Sequence, residues 1–245
     1  MNYQEIEANK DISKFVKLFW QFDNTNKEEK RYTVLPDGYF DLVIRISKNK
    51  IIDVTIYGIW LKQMDVIIPN DSIVIGVTFK PISAEYIFTN QISEIVNDLK
   101  ILDNTFQGID KLSLNNFKSF VLEYSKNINT NIKIDNRKVE VFNILHENYG
   151  VITVEELSNK VFWKSRQINR YFNSTFGLSV KTYANILRCS ISFKDIEKGK
   201  LSPSLSFYDQ SHFIKEIKKH SGSNPKELHQ NKNDRFLQFS TLHKL

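Results

Sequence analysis

The chain of 245 residues is 41% hydrophobic and 25% charged, a composition typical of globular proteins and unlike fibrous or mainly disordered chains. No apolar run approaches the roughly 20 residues that a membrane-spanning helix needs, and the N-terminus lacks the basic and apolar pattern of a signal peptide. The one cysteine, Cys189, excludes an intrachain disulfide and a multi-cysteine zinc site. We therefore expect a cytoplasmic protein with no membrane partner.

The net charge of +6 is distributed unevenly along the chain. Residues 1–134 contain 16 Lys and Arg against 17 Asp and Glu, whereas residues 135–245 contain 18 against 11. A basic half beside a near-neutral half is typical of a chain that binds an acidic partner, and nucleic acid is the first candidate. The alternative is a basic face that is simply solvated.

The first half of the chain has the pattern of an α+β domain over residues 1–130. Short runs rich in Ile, Val, Tyr and Phe end at turn-forming residues, which predicts a mostly antiparallel sheet with a few helices. Phe15–Phe22 fits either a strand or a buried helical segment, and helices are predicted at Ser83–Thr89 and Ile92–Leu99. The predicted strands are Arg31–Val34, Tyr39–Ile46, Ile51–Ile59, Met64–Ile68 and Ser72–Phe79.

Beyond residue 110 the apolar residues recur with the period of a helix. One helix begins near Phe117 and ends in the polar segment 126–133, the predicted linker. Another is predicted at Arg137–Tyr149, closed by Gly150 as its C-terminal cap. These features predict that the second half of the chain is helical.

Two short helices joined by a tight turn are predicted over residues 152–177. Thr153 and Glu156 have the spacing of a capping box, Ser165 is positioned to cap the second helix, and Gly177 ends it. The second helix presents Arg, Gln and Asn side chains outward, and these side chains match guanine and adenine edges in the major groove. The pattern therefore favours a DNA-binding helix-turn-helix, with a solvated face on a structural helix pair as the alternative.

A second segment over residues 207–228 has the same design. Asp209 caps a helix that buries Phe213 and Ile217 and leaves Lys side chains outside, and Gly222 ends that helix. Asn224 and the following proline then begin a short last helix.

These segments resemble the AraC/XylS family of bacterial transcription regulators. The resemblance is carried by SRQINRYF at 165–172, GLSVKTYANILR at 177–188 and FYDQSHFIKEIKKHSGSNPKEL at 207–228. It implies an all-α DNA-binding domain over residues 135–230, in which two helix-turn-helix units are joined by a long helix, followed by a tail over residues 231–245. The segments VLPDGYFDLVIRI at 34–46 and VIGVTFKPISAEYIF at 74–88 look like an N-terminal domain that some members contain.

The resemblance also implies which residues contact DNA. In the first recognition helix the implied base-reading residues are Arg166, Asn169 and Arg170. In the second recognition helix they are Gln210, Ser211, His212 and Lys215. Phosphate contacts come from helix N-termini and from basic residues at the rims, and the implied basic residues are Lys164, Lys181 and Lys218.

The chain departs from the family pattern in the segment Ile196–Ser206, which is shorter than the usual connection. Pro203 also lies where the first helix of the second unit should run, and a proline inside a helix costs about 3 kcal/mol. We therefore expect that helix to be short, irregular or absent. Three single-residue departures are Lys164 for a capping Ser, Val180 for a frequent Pro and Ser206 for a Gly.

Other candidate sites have simpler interpretations. Asp37 and Asp41 fit a polar ligand pocket, but a turn explains the segment around Asp37 more economically. Trp20, Trp60 and Phe79 fit an effector pocket, but core packing is the better interpretation.

Titratable side chains give no pattern of a metal or catalytic site. Cys189 fits a redox sensor or, more simply, a buried core residue. The histidines lack metal-binding spacing, and His212 either faces DNA or packs against Tyr208. No catalytic motif is present, so we expect neither enzymatic activity nor a cofactor or metal.

The expected function is that of a sequence-specific bacterial transcription regulator, either an activator or a repressor. Its partners would be double-stranded DNA, RNA polymerase, a second copy of the chain and an unidentified small-molecule effector. The N-terminal domain would sense a signal or mediate dimerisation. The alternative is a ligand-binding or protein-interaction module whose second helix-turn-helix is degenerate.

Overall fold

The computed structural model describes residues 1–88, 92–204 and 207–239. Thr89, Ser206 and residues 240–245 of the tail, all covered by predictions above, lie outside these ranges. Within them, an antiparallel sheet domain precedes a helical region, which confirms the predicted fold class. No helix of the described residues is long and apolar enough to cross a membrane.

Six strands of the N-terminal domain form one antiparallel sheet in the order β1-β2-β7-β4-β5-β8, and β3 pairs with β6 in a separate two-stranded ribbon. Every neighbouring pair in the large sheet is antiparallel. The strands of the described residues are β1 (Asn2–Glu7), β2 (Val16–Asn24), β3 (Lys30–Val34), β4 (Phe40–Ser47), β5 (Lys50–Tyr57), β6 (Met64–Ile68), β7 (Ser72–Phe79) and β8 (Leu99–Leu102).

The two faces of the large sheet pack against different partners. One face contributes to an apolar core that continues into the helices, with Phe40, Phe79 and Phe88 in mutual ring contact. The ribbon β3–β6 covers the other face, where Tyr32 and Phe22 stack at 6.4 Å. The central strands of the sheet are therefore buried on both sides.

The five predicted strands are confirmed, and the ambiguous segment Phe15–Phe22 lies mostly in strand β2. The prediction of a helix at Ile92–Leu99 is wrong: residues 92–98 form turns and Leu99 begins strand β8. The backbone groups of this segment bond to the chain after β5, where Gly58 N donates to Asp98 O (3.0 Å) and Asn97 N donates to Ile59 O (3.1 Å). The earlier helix prediction at Ser83–Thr89 is confirmed only for Ser83–Tyr86.

The helices of the described residues alternate with short connections from residue 117 onward. The helix that precedes the predicted linker packs on the sheet, because Phe19 makes edge contacts with Phe120 (6.4 Å) and Tyr124 (6.2 Å) of that helix. The helices are α1 (Ser83–Tyr86), α2 (Phe117–Asn127), α3 (Asn136–Glu147), α4 (Val154–Val161), α5 (Ser165–Phe176), α6 (Val180–Glu197), α7 (Gln210–Ser221) and α8 (Pro225–Gln230).

Helix α6 connects two apolar cores. Its first half, including Tyr183 and Leu187, belongs to the large core shared by the sheet and helices α2–α5. Its second half, including Cys189 and Phe193, belongs to a smaller core with α7, α8 and the tail. The two helical units are therefore joined by one continuous helix, as the predicted inter-unit helix requires.

The tail after α8 docks on both halves of the molecule. Thr33 N on β3 donates to Arg235 O (2.8 Å), and the Gln238 amide exchanges two hydrogen bonds with the backbone of Leu35 (3.0 and 2.9 Å). Phe236 and Phe239 are buried in the smaller core beside α6 and α7. The described part of the tail thus fastens the second helical unit to the N-terminal domain.

Gly150 permits the close approach of α3 to α6. Its φ is +69°, its N–H donates to Leu145 O (2.8 Å), and a Cβ added to it would lie 2.0 Å from Ala184 O. Any larger residue there must both adopt left-handed backbone and displace α6.

We expect Gly150→Ala to lower the free energy of unfolding by about 2 kcal/mol more than Gly199→Ala does, because overpacking adds to the backbone strain. Gly199 is the matched control, since its φ is +87° but its nearest neighbour, the His229 ring, lies 3.6 Å from an added Cβ. Urea unfolding of the full chain measures both values. Equal losses for the two variants would show that the contact with Ala184 is not tight.

Candidate nucleic-acid interface

Helices α4 and α5 form the first predicted helix-turn-helix. The predicted capping box is confirmed, because Thr153 Oγ1 accepts from Glu156 N (3.1 Å) and Glu156 Oε2 accepts from Thr153 N (2.8 Å). The predicted cap at Ser165 is wrong: Lys164 is the N-cap residue, and its N–H donates to Gln167 Oε1 (3.2 Å). Ser165 is the first helical residue, which displaces the cap by one position.

Helix α5 buries one face and presents basic side chains on the other. Ile168 and Phe172 are fully buried, whereas Lys164, Arg166 and Arg170 are exposed and, together with Gln167, line one shallow groove. The first turn contains no acidic residue, so the helix dipole and the side chains together favour an anion there. Asn169, the third predicted base-reading residue, is half-buried and donates to Ser165 O (3.2 Å).

Helix α7 has a similar division. Asp209 caps it as predicted, accepting from His212 N (2.7 Å), while Phe213 and Ile217 face the smaller core. Its exposed face includes two lysines and two uncharged polar residues of the predicted site, and its first turn contains no acidic residue. These exposed residues are Gln210, Ser211, Lys215 and Lys218.

Two side chains at the start of α7 form hydrogen bonds with the residues that precede the helix. Gln210 Nε2 donates to Leu201 O (3.0 Å), which leaves its amide oxygen and second hydrogen for other contacts. His212 Nδ1 accepts from Tyr208 N (3.3 Å), and its ring lies 5.8 Å from that of Phe207. His212 therefore contacts both residues that precede the cap, and its ring packs on Phe207 rather than on the Tyr208 ring.

The predicted DNA-contacting cations share one electrostatic property. Within the described residues, none of them makes an ion pair within 4.0 Å, whereas the neighbouring Lys219 lies 3.8 Å from Glu216. All are exposed, so their charge is available to an external anion. These cations are Lys164, Arg166, Arg170, Lys181, Lys215 and Lys218.

The second unit lacks its first helix in the part of the chain that the structure describes. Residues 198–204 and 207–209 contain no helix, as expected from Pro203. The segment folds back on α6 instead, where Asp195 pairs with Lys200 (3.1 Å) and accepts from Ser204. Phe207 packs against Phe213 (5.1 Å) in place of a scaffold helix.

The N-terminal domain contacts the C-terminal ends of both α5 and α7. Behind α5, a Cβ added to Gly177 would lie 2.4 Å from Ser93 O. Behind α7, His220 Nδ1 donates to Leu61 O (2.5 Å), and an added Cβ on Gly222 would lie 2.2 Å from the Gln63 amide. Sequence reasoning missed these contacts because no local pattern encodes them.

The candidate effector residues of the N-terminal domain do not converge. Trp20 faces Gly76 across β2 and β7, whereas Phe79, three residues further along β7, points to the opposite face. The Trp20 indole donates to Asp41 (3.3 Å) and Thr78 (3.2 Å), and burial raises the pKa of Asp41 to about 6.

The segment around Asp37 forms a turn, and Cys189 is a buried core residue. The turn interpretation of Asp37 is confirmed, because its carboxylate accepts from Tyr39 N (3.1 Å) and Gly38 has a φ of +83°. Cys189 is buried in the smaller core, and burial raises the pKa of its thiol to about 12. The described residues contain no cluster of three potential metal ligands.

The junction between the two halves contains a half-buried histidine. His146 on α3 stacks on Tyr39 of the N-terminal domain (5.8 Å) and lies 3.3 Å from the Tyr183 hydroxyl. Burial, with smaller contributions from Lys80 and Lys17, lowers its pKa to about 4, while Asp37 acts in the opposite direction. His146 is therefore neutral in the folded chain at neutral pH.

Residues 4–99 match the model of the family DUF6597, a domain of unknown function. No curated protein matches the chain.

Two solved structures of ToxT from Vibrio cholerae are similar in fold over most of the chain. The apo form of a ToxT variant has 14% identity and a TM-score of 0.46, over 92% of this chain and 99% of ToxT. ToxT with a bound unsaturated fatty acid has 13% identity and a TM-score of 0.45, over 91% and 96%. At these values the likeness assigns no function to the chain.

We expect the stability of the chain to fall as the pH decreases from about 6.5 toward 4, because the unfolded chain protonates His146 before the folded chain does. Between about pH 7.5 and pH 5, the wild type should lose about 2 kcal/mol more than His146→Gln. Urea unfolding at both pH values measures the difference. Asp41, whose raised pKa acts in the opposite direction, is present in both proteins and cancels. Parallel losses in the two proteins would contradict a neutral, half-buried His146.

Proposed function

We propose that the chain is a sequence-specific DNA-binding transcription regulator of the AraC/XylS type. The carrying observation is the pair of helices α5 and α7, each with an acid-free first turn, an apolar face in a core and exposed cations without ion pairs in the described residues. Such helices suit the major groove, where Arg and Lys read guanine and Asn and Gln read adenine. Two successive major-groove segments on one face of DNA are one turn, about 34 Å, apart.

In this proposal Arg166, Asn169 and Arg170 read bases from α5. Gln210, Ser211, His212 and Lys215 read bases from α7. Lys164, Lys181 and Lys218 contact phosphates, which position the helices without reading sequence. The amide donors that Asn169 and Gln210 already use leave each side chain one further hydrogen and its oxygen for a base edge.

The sheet domain, residues 1–130 including the DUF6597 match, has the role of sensing a signal or mediating dimerisation. Its contacts with the ends of α5 and α7 support a regulatory role, because a change in the sheet domain reaches both recognition helices directly. RNA polymerase, a second copy of the chain and a small-molecule effector complete the proposed partners. We propose no enzymatic activity for the chain, and we propose the cytoplasm as its cellular location.

A second candidate function is that of a ligand-binding or protein-interaction module with one degenerate unit. The extended segment before α7 favours it, since the second unit has no scaffold helix in residues 198–204 and 207–209. In that case α5 would contribute most of the DNA affinity, and α7 would contribute little.

DNA binding by the full chain should weaken steeply with salt, because neutralised phosphates release counterions. The slope of log K against log salt is about −0.9 per phosphate, so contacts from four to six of the exposed cations predict a slope of roughly −4 to −5. Fluorescence anisotropy with a duplex selected from random DNA measures the slope. A slope near zero, or a selection that yields no recurrent sequence, would contradict the proposal.

Arg170→Ala should cost about 1–3 kcal/mol of DNA binding and relax the preference at one base position. Lys118→Ala on the exposed face of α2 is the control, because it removes one charge outside the helical domain. A loss of affinity that is equal for all duplexes would make Arg170 a phosphate contact. Lys215→Ala separates the two candidate functions: it weakens binding if α7 reads DNA and leaves it unchanged if the second unit is degenerate.

A further inference from the structure

Phe162 in the turn between α4 and α5 is 90% exposed, although both neighbours are packed. Val161 is buried in the large core, and Trp163 contacts the Tyr171 ring (5.4 Å) and the Arg137 guanidinium (5.4 Å). The turn is therefore anchored on both sides of Phe162. The phenyl ring itself contributes little to the packing of the chain.

The backbone of Phe162 also disfavours a large residue. Its φ is +51° and its ψ is 40°, in the left-handed region that residues with a Cβ occupy at a cost and glycine occupies freely. The N–H of Phe162 donates to Ser158 O to end α4, a bond that glycine would make equally well. Neither packing within the described residues nor backbone geometry accounts for an aromatic residue at this position.

Tyr208 has the corresponding position before α7. It is 92% exposed and directly precedes the cap Asp209, while its neighbour Phe207 is packed against Phe213 (5.1 Å) and under the Arg188 guanidinium (4.7 Å). Its backbone N–H is already used by His212. An exposed ring therefore adjoins the N-terminal end of each recognition helix.

Cations follow both rings in the sequence. Phe162 is followed by Lys164 and Arg166, whereas Tyr208 directly precedes the Asp209 cap and the lysines of α7 begin at Lys215. A protein partner that buried these rings would also have to neutralise the adjacent cations. DNA supplies both requirements together, because its phosphates pair with the cations and its thymine methyl and deoxyribose groups offer apolar surface.

We infer that Phe162 and Tyr208 contact the apolar surface of DNA, one ring beside each recognition helix. This inference rests on the proposed function. The rings add apolar contact that the basic residues lack, and a contact with a thymine methyl would also distinguish thymine from cytosine. A thymine methyl and a deoxyribose present the same apolar chemistry, and the two sources are separable by experiment.

The decisive variant is Phe162→Gly in the full chain, because it removes the ring and relieves the backbone. We expect its urea midpoint of unfolding to equal or exceed that of the wild type, and its affinity for the selected duplex to fall about tenfold. Tyr208→Ala should produce a similar loss. Leu122→Ala, which removes a 61% exposed apolar side chain from α2, is the control and should leave the affinity unchanged.

A duplex in which deoxyuridine replaces thymine identifies the apolar group. If the ring contacts thymine methyls, the wild type loses affinity on this duplex, and the difference in affinity between the wild type and Phe162→Gly disappears. If it contacts deoxyribose, the tenfold difference persists on both duplexes. Either result supports the inference.

Two results would overturn the inference while leaving the proposed function intact. One is unchanged DNA affinity in both aromatic variants while Arg170→Ala still weakens binding, which would assign the rings to a protein partner. The other is a lower urea midpoint for Phe162→Gly, which would make Phe162 a packing residue. If Arg170→Ala and salt also leave binding unchanged, the proposed function itself is wrong.

Discussion

The structure depends on helix α6, because this one helix belongs to two apolar cores at once. Tyr183 and Leu187 bind it to the core of the sheet and the first unit, and Phe193 and Ile196 bind it to the core of the second unit. Its 18 residues span about 27 Å as a stiff rod. The separation of α5 and α7 is therefore set by a helix packed in two cores rather than by a flexible linker.

Close backbone approaches then fix the orientation of each unit on that rod. Gly177 and Gly222 end α5 and α7 in left-handed conformations, and the N-terminal domain lies directly against both. Side-chain contacts also connect the helices to the N-terminal domain. Lys138 on α3 pairs with Glu85 (2.5 Å), and His220 on α7 donates to Leu61 O. Because a Cβ at either glycine would meet Ser93 or Gln63, the absence of a side chain is what permits these contacts.

The sequence predicted the elements that have a strong period or a complete cap, such as the capping box at Thr153 and the strands around the Asp37 turn. It missed β1 and β8, which are edge strands with exposed polar or isolated apolar residues and no clean alternation. The wrong helix at Ile92–Leu99 has an apolar period, but its backbone groups are used by Gly58 and Ile59. Tertiary hydrogen bonding overrode local propensity there.

The exposure of the candidate interface residues was predictable from the sequence, but their hydrogen bonds and backbone conformations were not. Helical spacing places Arg166, Arg170 and Lys215 outside, and they are exposed in the structure. Spacing does not show that Asn169 and Gln210 already donate to their own chain, nor that Phe162 takes a left-handed conformation. Those facts depend on the local three-dimensional path of the backbone, which a pattern of residue types does not contain.

The tail shows most clearly that the position of α7 depends on distant parts of the chain. Leu35 and Gln238 are far apart in sequence, yet they exchange two hydrogen bonds while Phe236 and Phe239 fill the core beneath α7. Removal of the tail would expose that core and leave α7 joined to the sheet mainly through His220 and Gly222. Helix α7 is consequently held by α6, the sheet domain and the tail together, and an isolated helical domain would retain only the first of these three in full.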